Sequence, residues 1–279
     1  MTRFTTVLGL ALVLVTACDT ATKQPAVPDA AGSPPADAAA PAAAQPEEPE
    51  DERYASVAGL AYAEVMLGGA GPEDQVPMIV AIHGLGDEPH AFAELFASFP
   101  EPARLVLPRG LDPTELGGWS WFSIRARDND IEGLAQGIRK AADVIAPAVA
   151  ALAESRPTLG KPVVTGFSQG GMLAFTIAVH HPELVSAAIP VGGWLPPPLW
   201  PDAARKQKSP RIVALHGTAD NAVAFDPTKQ ATTHLKKLGW SVELEAYEGV
   251  RHVITPEMRR DLFDHLADAI RDAQSAKGE

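Results

Sequence analysis

The chain has 279 residues, 46% of them hydrophobic, enough for one sizeable core or two small ones. Its formal net charge of -12 disfavours nucleic acid as a partner, because phosphate must be neutralised by Lys and Arg; the acidity reads most simply as solubility. The single cysteine, Cys18, excludes an intramolecular disulfide.

The chain opens with Arg3 and an apolar run, Val7–Val15, too short to span a bilayer as a helix but of the length of a signal-peptide core. The next residues, Val15-Thr16-Ala17-Cys18, resemble a bacterial lipobox, in which the signal is removed before the cysteine and the cysteine carries the lipid. Residues 1–17 are therefore expected to be a lipoprotein signal peptide, with Cys18 the lipidation site on a membrane of the bacterial cell envelope. An ordinary secretory signal with an incidental cysteine is the alternative. Each buried acyl CH₂ adds about 0.8 kcal/mol, so two or three chains would anchor the protein stably. Residues 18–53 continue as Ala, Pro, Asp and Glu with almost no large apolar side chains. Such a segment cannot bury enough surface to offset its ordering entropy and is expected to be a disordered tether. The remaining span, 54–279, is expected to fold as one domain.

Within that domain, strand-like and helix-like segments alternate. Leu60–Leu67 reads as a strand. Met78–Ile82 is a continuous apolar run ending in His83-Gly84, as a buried parallel strand would. Ala91–Phe99 has helical spacing of Phe92, Leu95, Phe96 and Phe99, and Arg104–Leu107 is a short strand stopped by Pro108. Ile131–Ser155 is a long helical pattern with a kink expected near Pro147. Strands follow at Pro162–Thr165, Val185–Val191 and Arg211–Leu215. Thr228–Leu238 is helical, Ser241–Tyr247 alternates as a strand, and Pro256–Ala273 is an amphipathic helix. Repeated βα units predict a mainly parallel sheet with helices on both faces, and functional groups at the carboxyl ends of its strands. The stretch between Val191 and Arg211 is too short for a large lid domain.

One pentapeptide stands out, Gly166-Phe167-Ser168-Gln169-Gly170, with a predicted strand before it and an apolar helical pattern after it. The five letters alone arise by chance. In a strand–turn–helix setting G-x-S-x-G marks a nucleophile elbow, whose glycines permit a turn too tight for side chains. A serine hydroxyl is a weak nucleophile unless a base takes its proton, and in this topology the order is Ser, then Asp or Glu, then His. Asp220 follows the strand Arg211–Leu215, and His252 falls between the last strand and the last helix. Both are taken as catalytic partners of Ser168; Asp226 is the nearest rival to Asp220, and His83 and His216 read as structural. An oxyanion would be stabilised by backbone N–H groups of Gln169, at a helix start, and of Leu85, in the Gly-rich loop His83-Gly84-Leu85-Gly86-Asp87. No metal or phosphate-loop signature is present, and no cofactor is expected.

Taken together, His83-Gly84-Leu85-Gly86-Asp87, Gly166-Phe167-Ser168-Gln169-Gly170-Gly171, His216-Gly217-x-x-Asp220 and Gly-x-x-His252 resemble the phospholipase/carboxylesterase family of α/β-hydrolases, which includes the acyl-protein thioesterases. Trp121-Phe122 and Gly192-Gly193-Trp194-Leu195-Pro196 are similar to two further segments of that family. The resemblance implies an α/β-hydrolase fold over roughly residues 60–270, a triad at Ser168, Asp220 and His252, and oxyanion donors at Leu85 and Gln169. It departs at Asn221-Ala222-Val223-Ala224, where the family usually has Pro-x-Val-Pro, at Gly193, where it has serine, and at Val250-Arg251. These departures bear on acyl and head-group preference. The resemblance implies a carboxylesterase acting on a small ester or lysophospholipid-like substrate. A secreted feruloyl or polyester esterase and an inactive tethered binding module are the other readings. Trp119, Trp121, Trp194 and Trp200 fall in loops at the predicted active-site end, and Trp121 and Trp194 are expected to bind substrate.

Overall fold

In the computed structural model, the described residues are 53–204 and 209–275. The expected signal peptide, Cys18 and the tether up to residue 52 lie outside them. Eight strands form one sheet in the order β1-β2-β4-β3-β7-β8-β9-β10. They are β1 (Ala55–Val57), β2 (Leu60–Leu67), β3 (Met78–Ile82), β4 (Ala103–Pro108), β7 (Val163–Phe167), β8 (Ala187–Val191), β9 (Arg211–Gly217) and β10 (Val242–Tyr247). A separate two-stranded ribbon pairs β5 (Asp112–Pro113) with β6 (Trp119–Ser120). β1 and β2 pair antiparallel at one edge, and every pairing from β4 to β10 is parallel.

The inner strands read as unbroken apolar runs because both faces of the sheet are covered. Side chains alternate across a strand, so Met78, Val80 and Ile82 join one hydrophobic cluster while Ile79 and Ala81 join the other. The first cluster packs under α2 (Ile131–Ser155), α3 (Gln169–His180) and α4 (Phe225–Lys237). The second packs under α1 (Pro89–Ala93) and α5 (Pro256–Ser275). This is the mainly parallel, two-face-covered sheet that the alternation of elements predicts. α2 starts where Asp130 accepts the Gly133 N–H at 2.8 Å, an N-cap. The kink expected near Pro147 does not end the helix, which runs unbroken to Ser155. Buried Ala146, Ala148 and Val149 on either side hold it to the core. The helix expected over Ala91–Phe99 is a short α1 continued by a 3₁₀ turn at Glu94–Phe96. Among the described residues, the β8–β9 connection carries only a 3₁₀ turn at Pro197–Leu199, and no helix is long and apolar enough to cross a membrane.

The sheet order sets the position of the site. From β3 the chain moves outward to β4, then returns past β3 to β7 and continues to β10. The point where the order reverses lies between β3 and β7, and a crevice opens there beyond the strand ends. Ile82 pairs with Gly166, so the loop after β3 and the turn after β7 leave the sheet at the same level.

Candidate active site

Ser168 occupies that turn, with φ 59° and ψ -116°. A non-glycine residue in this region is strained by about 1–3 kcal/mol, held only because the surroundings enforce it. Here the enforcement is close packing. A methyl on Gly170 would lie 1.8 Å from the Ile82 carbonyl oxygen, and one on Gly166 would lie 2.6 Å from the same atom. Ser168 N–H donates to the Val191 carbonyl at 3.0 Å, and Met172 N–H donates to the Ser168 carbonyl. The hydroxyl is thereby directed out of the sheet.

His252, five residues beyond β10, meets it there. Ser168 Oγ and His252 Nε2 are 2.9 Å apart. On the other side of the ring, Nδ1–H donates to Asp220 Oδ2 at 2.7 Å. The Phe167 ring stacks on the imidazole with centroids 4.7 Å apart. Asp220 is itself pinned, because its Oδ1 accepts the N–H groups of Ala222 and Val223, each at 2.9 Å. His216 Nε2–H donates to the Val223 carbonyl at 2.9 Å and lies 3.5 Å from Asp220 Oδ2. Burial alone would raise the Asp220 carboxyl. Hydrogen bonding from His216, His252 and the two backbone N–H groups outweighs it and holds the group well below the usual carboxylate range. The expected orienter and base are thus brought together with Ser168. The rival Asp226 sits in the first turn of α4.

The loop after β3 passes directly beside Ser168, where a methyl on Gly84 would lie 3.3 Å from its Cβ. It is braced by the β5–β6 ribbon: Gly86 N–H donates to the Trp119 carbonyl and Trp119 N–H to the Asp87 carbonyl, each at 2.9 Å. The Arg109 guanidinium covers the Trp119 ring at 4.0 Å. His83 anchors the loop's base. Its Nδ1–H donates to the Gly84 carbonyl at 2.7 Å, while Nε2 accepts the Gly110 N–H at 3.0 Å, a tautomer assigned from these partners. Burial pushes the His83 imidazole below its ordinary value. Gln169 is the first residue of α3, so its N–H has no acceptor within the helix. Leu85 and Gln169 both line the cavity that holds Ser168 and His252.

That cavity measures about 240 Å³, below the usual range for drug-sized ligands. Its remaining wall comes from Phe122, Ile124, Arg125, Ala126, Arg127, Met172, Ala222 and Val223. Sequence reasoning did not single out residues 122–127 as a unit, because their place beside the elbow depends on a side-chain contact. Gln169 Nε2 donates to the Phe122 carbonyl at 2.7 Å, and Trp121 N–H donates to Gln169 Oε1 at 3.0 Å. The substrate role expected for Trp121 and Trp194 is corrected. Both are buried in the core and neither lines the cavity. Trp121 turns inward because its indole N–H donates to the His83 carbonyl at 3.0 Å, which a buried indole requires. Among the described residues, no group of three or more His, Cys, Asp or Glu could hold a metal ion.

A family model described as phospholipase/carboxylesterase matches residues 64–270. Acyl-protein thioesterase 1 of Mycosarcoma maydis is 28% identical over 215 residues, which cover 68% of this chain and 89% of that protein. A probable carboxylesterase of Oryza sativa subsp. japonica is 30% identical over 116 residues, 40% of this chain and 42% of the relative. The match to that plant relative thus spans less than half of its length. Among solved structures, esterase PE8 superposes with a TM-score of 0.65 at 23% identity, over 75% of this chain and 99% of that one. The acyl-protein thioesterase 2 of Zea mays superposes with a TM-score of 0.55 at 24% identity, over 75% and 98%. At these identities the structural likeness is one of fold.

Proposed function

This chain belongs to the phospholipase/carboxylesterase family of α/β-hydrolases, and on that premise we propose that it is a serine carboxylic-ester hydrolase working through a Ser168–His252–Asp220 triad. The observation that carries the reading is the continuous hydrogen-bonded chain from Ser168 Oγ through the imidazole to Asp220, at 2.9 and 2.7 Å, opening on a cavity. Ser168 Oγ attacks the ester carbonyl carbon as His252 Nε2 takes its proton. The carbonyl oxygen becomes an oxyanion and receives the Leu85 and Gln169 N–H groups, each donor worth about 3–4 kcal/mol in such sites. Asp220 holds Nδ1–H and stabilises the imidazolium. The intermediate collapses, His252 gives its proton to the leaving alcohol, and an acyl-enzyme remains. Water, deprotonated by His252, then attacks the acyl carbon; the bond to Ser168 Oγ breaks, Oγ takes the proton back from His252, and the acid leaves.

The small, mostly apolar cavity favours short acyl groups over long chains. Thioesters, which need the same attack, are within reach of the same mechanism. A fluorophosphonate should label the wild type and leave Ser168→Ala unlabelled; equal labelling of both would remove the nucleophile assignment. Lysophospholipid-type esters belong to the proposal as a substrate class, to be ranked by rates on a panel of chain lengths. We further propose that the protein is anchored to an envelope membrane through lipid on Cys18. Cys18→Ser should then shift it to the soluble fraction, and unchanged partitioning would refute the anchor.

A further inference from the structure

The cavity is also lined by two exposed arginines that the mechanism does not use. Arg125 and Arg127 line the same cavity as Ser168 and His252, and none of the other lining residues is acidic. The chain as a whole has 35 acidic residues against 23 basic ones. Yet among the described residues neither guanidinium has an ion pair or a side-chain hydrogen bond. The neighbouring acids each accept a backbone N–H rather than pair with a guanidinium. Asp128 accepts the Arg125 backbone N–H at 2.8 Å, and Asp130 accepts the Gly133 N–H at 2.8 Å.

The segment that presents these side chains is held at both ends. Gln169 Nε2 and Ser120 Oγ both donate to the Phe122 carbonyl, at 2.7 and 2.9 Å. Asp128 N–H closes a turn onto the Arg125 carbonyl at 3.0 Å, and Ile124 packs against the core. The loop therefore presents two cations to a mostly apolar cavity wall. Unpaired guanidinia cost nothing in an exposed loop, and beside the cavity they favour an oxyanion over a cation, by the modest amount that exposed, screened charges allow.

We propose that Arg125 and Arg127 form an anion subsite and that the preferred substrates are short-chain esters carrying a carboxylate or phosphate near the scissile bond. The inference rests on the esterase reading above and names its substrate class. An oxyanion on the substrate is held by the guanidinium groups while the ester carbonyl lies between Ser168 and the Leu85 and Gln169 N–H groups.

Two pairs of substrates separate the sources of the charge. Mono-p-nitrophenyl glutarate against p-nitrophenyl valerate places a carboxylate on the acyl side. Butyryl-glycerophosphate against glycerol monobutyrate places a phosphate on the alcohol side. In at least one pair, the anionic-to-neutral ratio of kcat/KM should fall roughly three- to fivefold for Arg125→Gln and for Arg127→Gln, and further for the double variant. The pair that responds identifies the source. The ratio should also shrink as salt rises from roughly 0.05 to 0.5 M, because screening weakens exposed charge pairs. Arg260→Gln makes the same charge change on α5 and should leave both ratios where they were. Ratios that do not move in either pair for the double variant, or that move equally for Arg260→Gln, overturn the subsite.

Failure of the esterase reading looks different. Turnover of neutral esters that survives in Ser168→Ala, or is absent in the wild type, removes the mechanism. In that case calorimetric binding of the two anionic esters to Ser168→Ala decides the subsite. Salt-sensitive binding lost in the double arginine variant retains it, and no binding removes it.

Discussion

Asp220→Asn tests the triad sharply, because the structure dictates which way the new amide must face. Asp220 Oδ1 accepts two backbone N–H groups, from Ala222 and Val223. The asparagine carbonyl oxygen must take that position, since an NH₂ there would oppose two donors. The NH₂ is then placed where Oδ2 was, facing His252 Nδ1 and His216 Nε2. Nδ1–H would meet a donor, so the imidazole adopts the other tautomer, with its proton on Nε2. That nitrogen faces Ser168 Oγ at 2.9 Å and can no longer take its proton. In serine triads this inversion costs on the order of 10⁴ in kcat, or roughly 5 kcal/mol of barrier. The turn keeps both hydrogen bonds to Oδ1, so the stability lost is confined to the interactions of the charged carboxylate with His252 and His216. Asp220→Ala separates the two roles. It frees two backbone N–H groups as well, adding about 2–4 kcal/mol of destabilisation. The assay is steady-state hydrolysis of p-nitrophenyl butyrate beside urea unfolding for both variants. A kcat for Asp220→Asn within about tenfold of wild type, in a folded protein, would refute the argument and return Asp226 to consideration.

Three further outcomes follow from the packing around the elbow. Gln169→Ala keeps the backbone N–H but strands the Trp121 N–H and leaves the Phe122 carbonyl with Ser120 Oγ alone, so urea unfolding should show a loss of about 1–3 kcal/mol; a loss under about 0.5 kcal/mol would mean that these bonds do not hold the cavity wall. Gly170→Ala puts a methyl 1.8 Å from the Ile82 carbonyl, an overlap with backbone on both sides that should cost about 3 kcal/mol or more. A native-like melting midpoint for that variant would show that the elbow does not rest on β3. His83 and His180 are both held below their ordinary value of 6.5 by burial, so the unfolded chain binds protons more readily than the folded one. Their stabilising effect is complete above pH 6.5 and is lost as pH falls below it. A second N–H on His83 would also oppose the Gly110 N–H. The midpoint for thermal unfolding should therefore fall between about pH 7.5 and 5, and a midpoint that rises on acidification would contradict the assigned tautomer.

Much of this site was legible before any coordinates. Ser168 and Asp220 each follow a strand with a continuous apolar run, His252 follows one that alternates, and strand ends in parallel sheets converge on one edge. Local chemistry was sufficient for β2, β3 and α2, whose expected and observed bounds coincide at Leu60–Leu67, Met78–Ile82 and Ile131–Ser155. Short elements escaped, because β1, β5 and β6 are two or three residues long and owe their form to partners distant in the chain. The tryptophans were misjudged for a related reason. An aromatic residue in a loop at the active-site end can face either way, and the acceptor that turns Trp121 inward, the His83 carbonyl, lies 38 positions away.

What the sequence determined by itself is therefore the set of candidate reacting groups, their order, and the layered sheet that brings their strand ends together, since these depend on residue type and on short-range periodicity. The tertiary structure alone decided how they are held and what surrounds them. The Gln169 side chain fastens residues 121–122 across 47 and 48 positions, His216 and two backbone N–H groups orient Asp220, and Arg125 and Arg127 come to face the nucleophile's cavity. Each of those is a contact between distant segments, and such contacts leave no trace in composition or spacing because only close packing selects the partner.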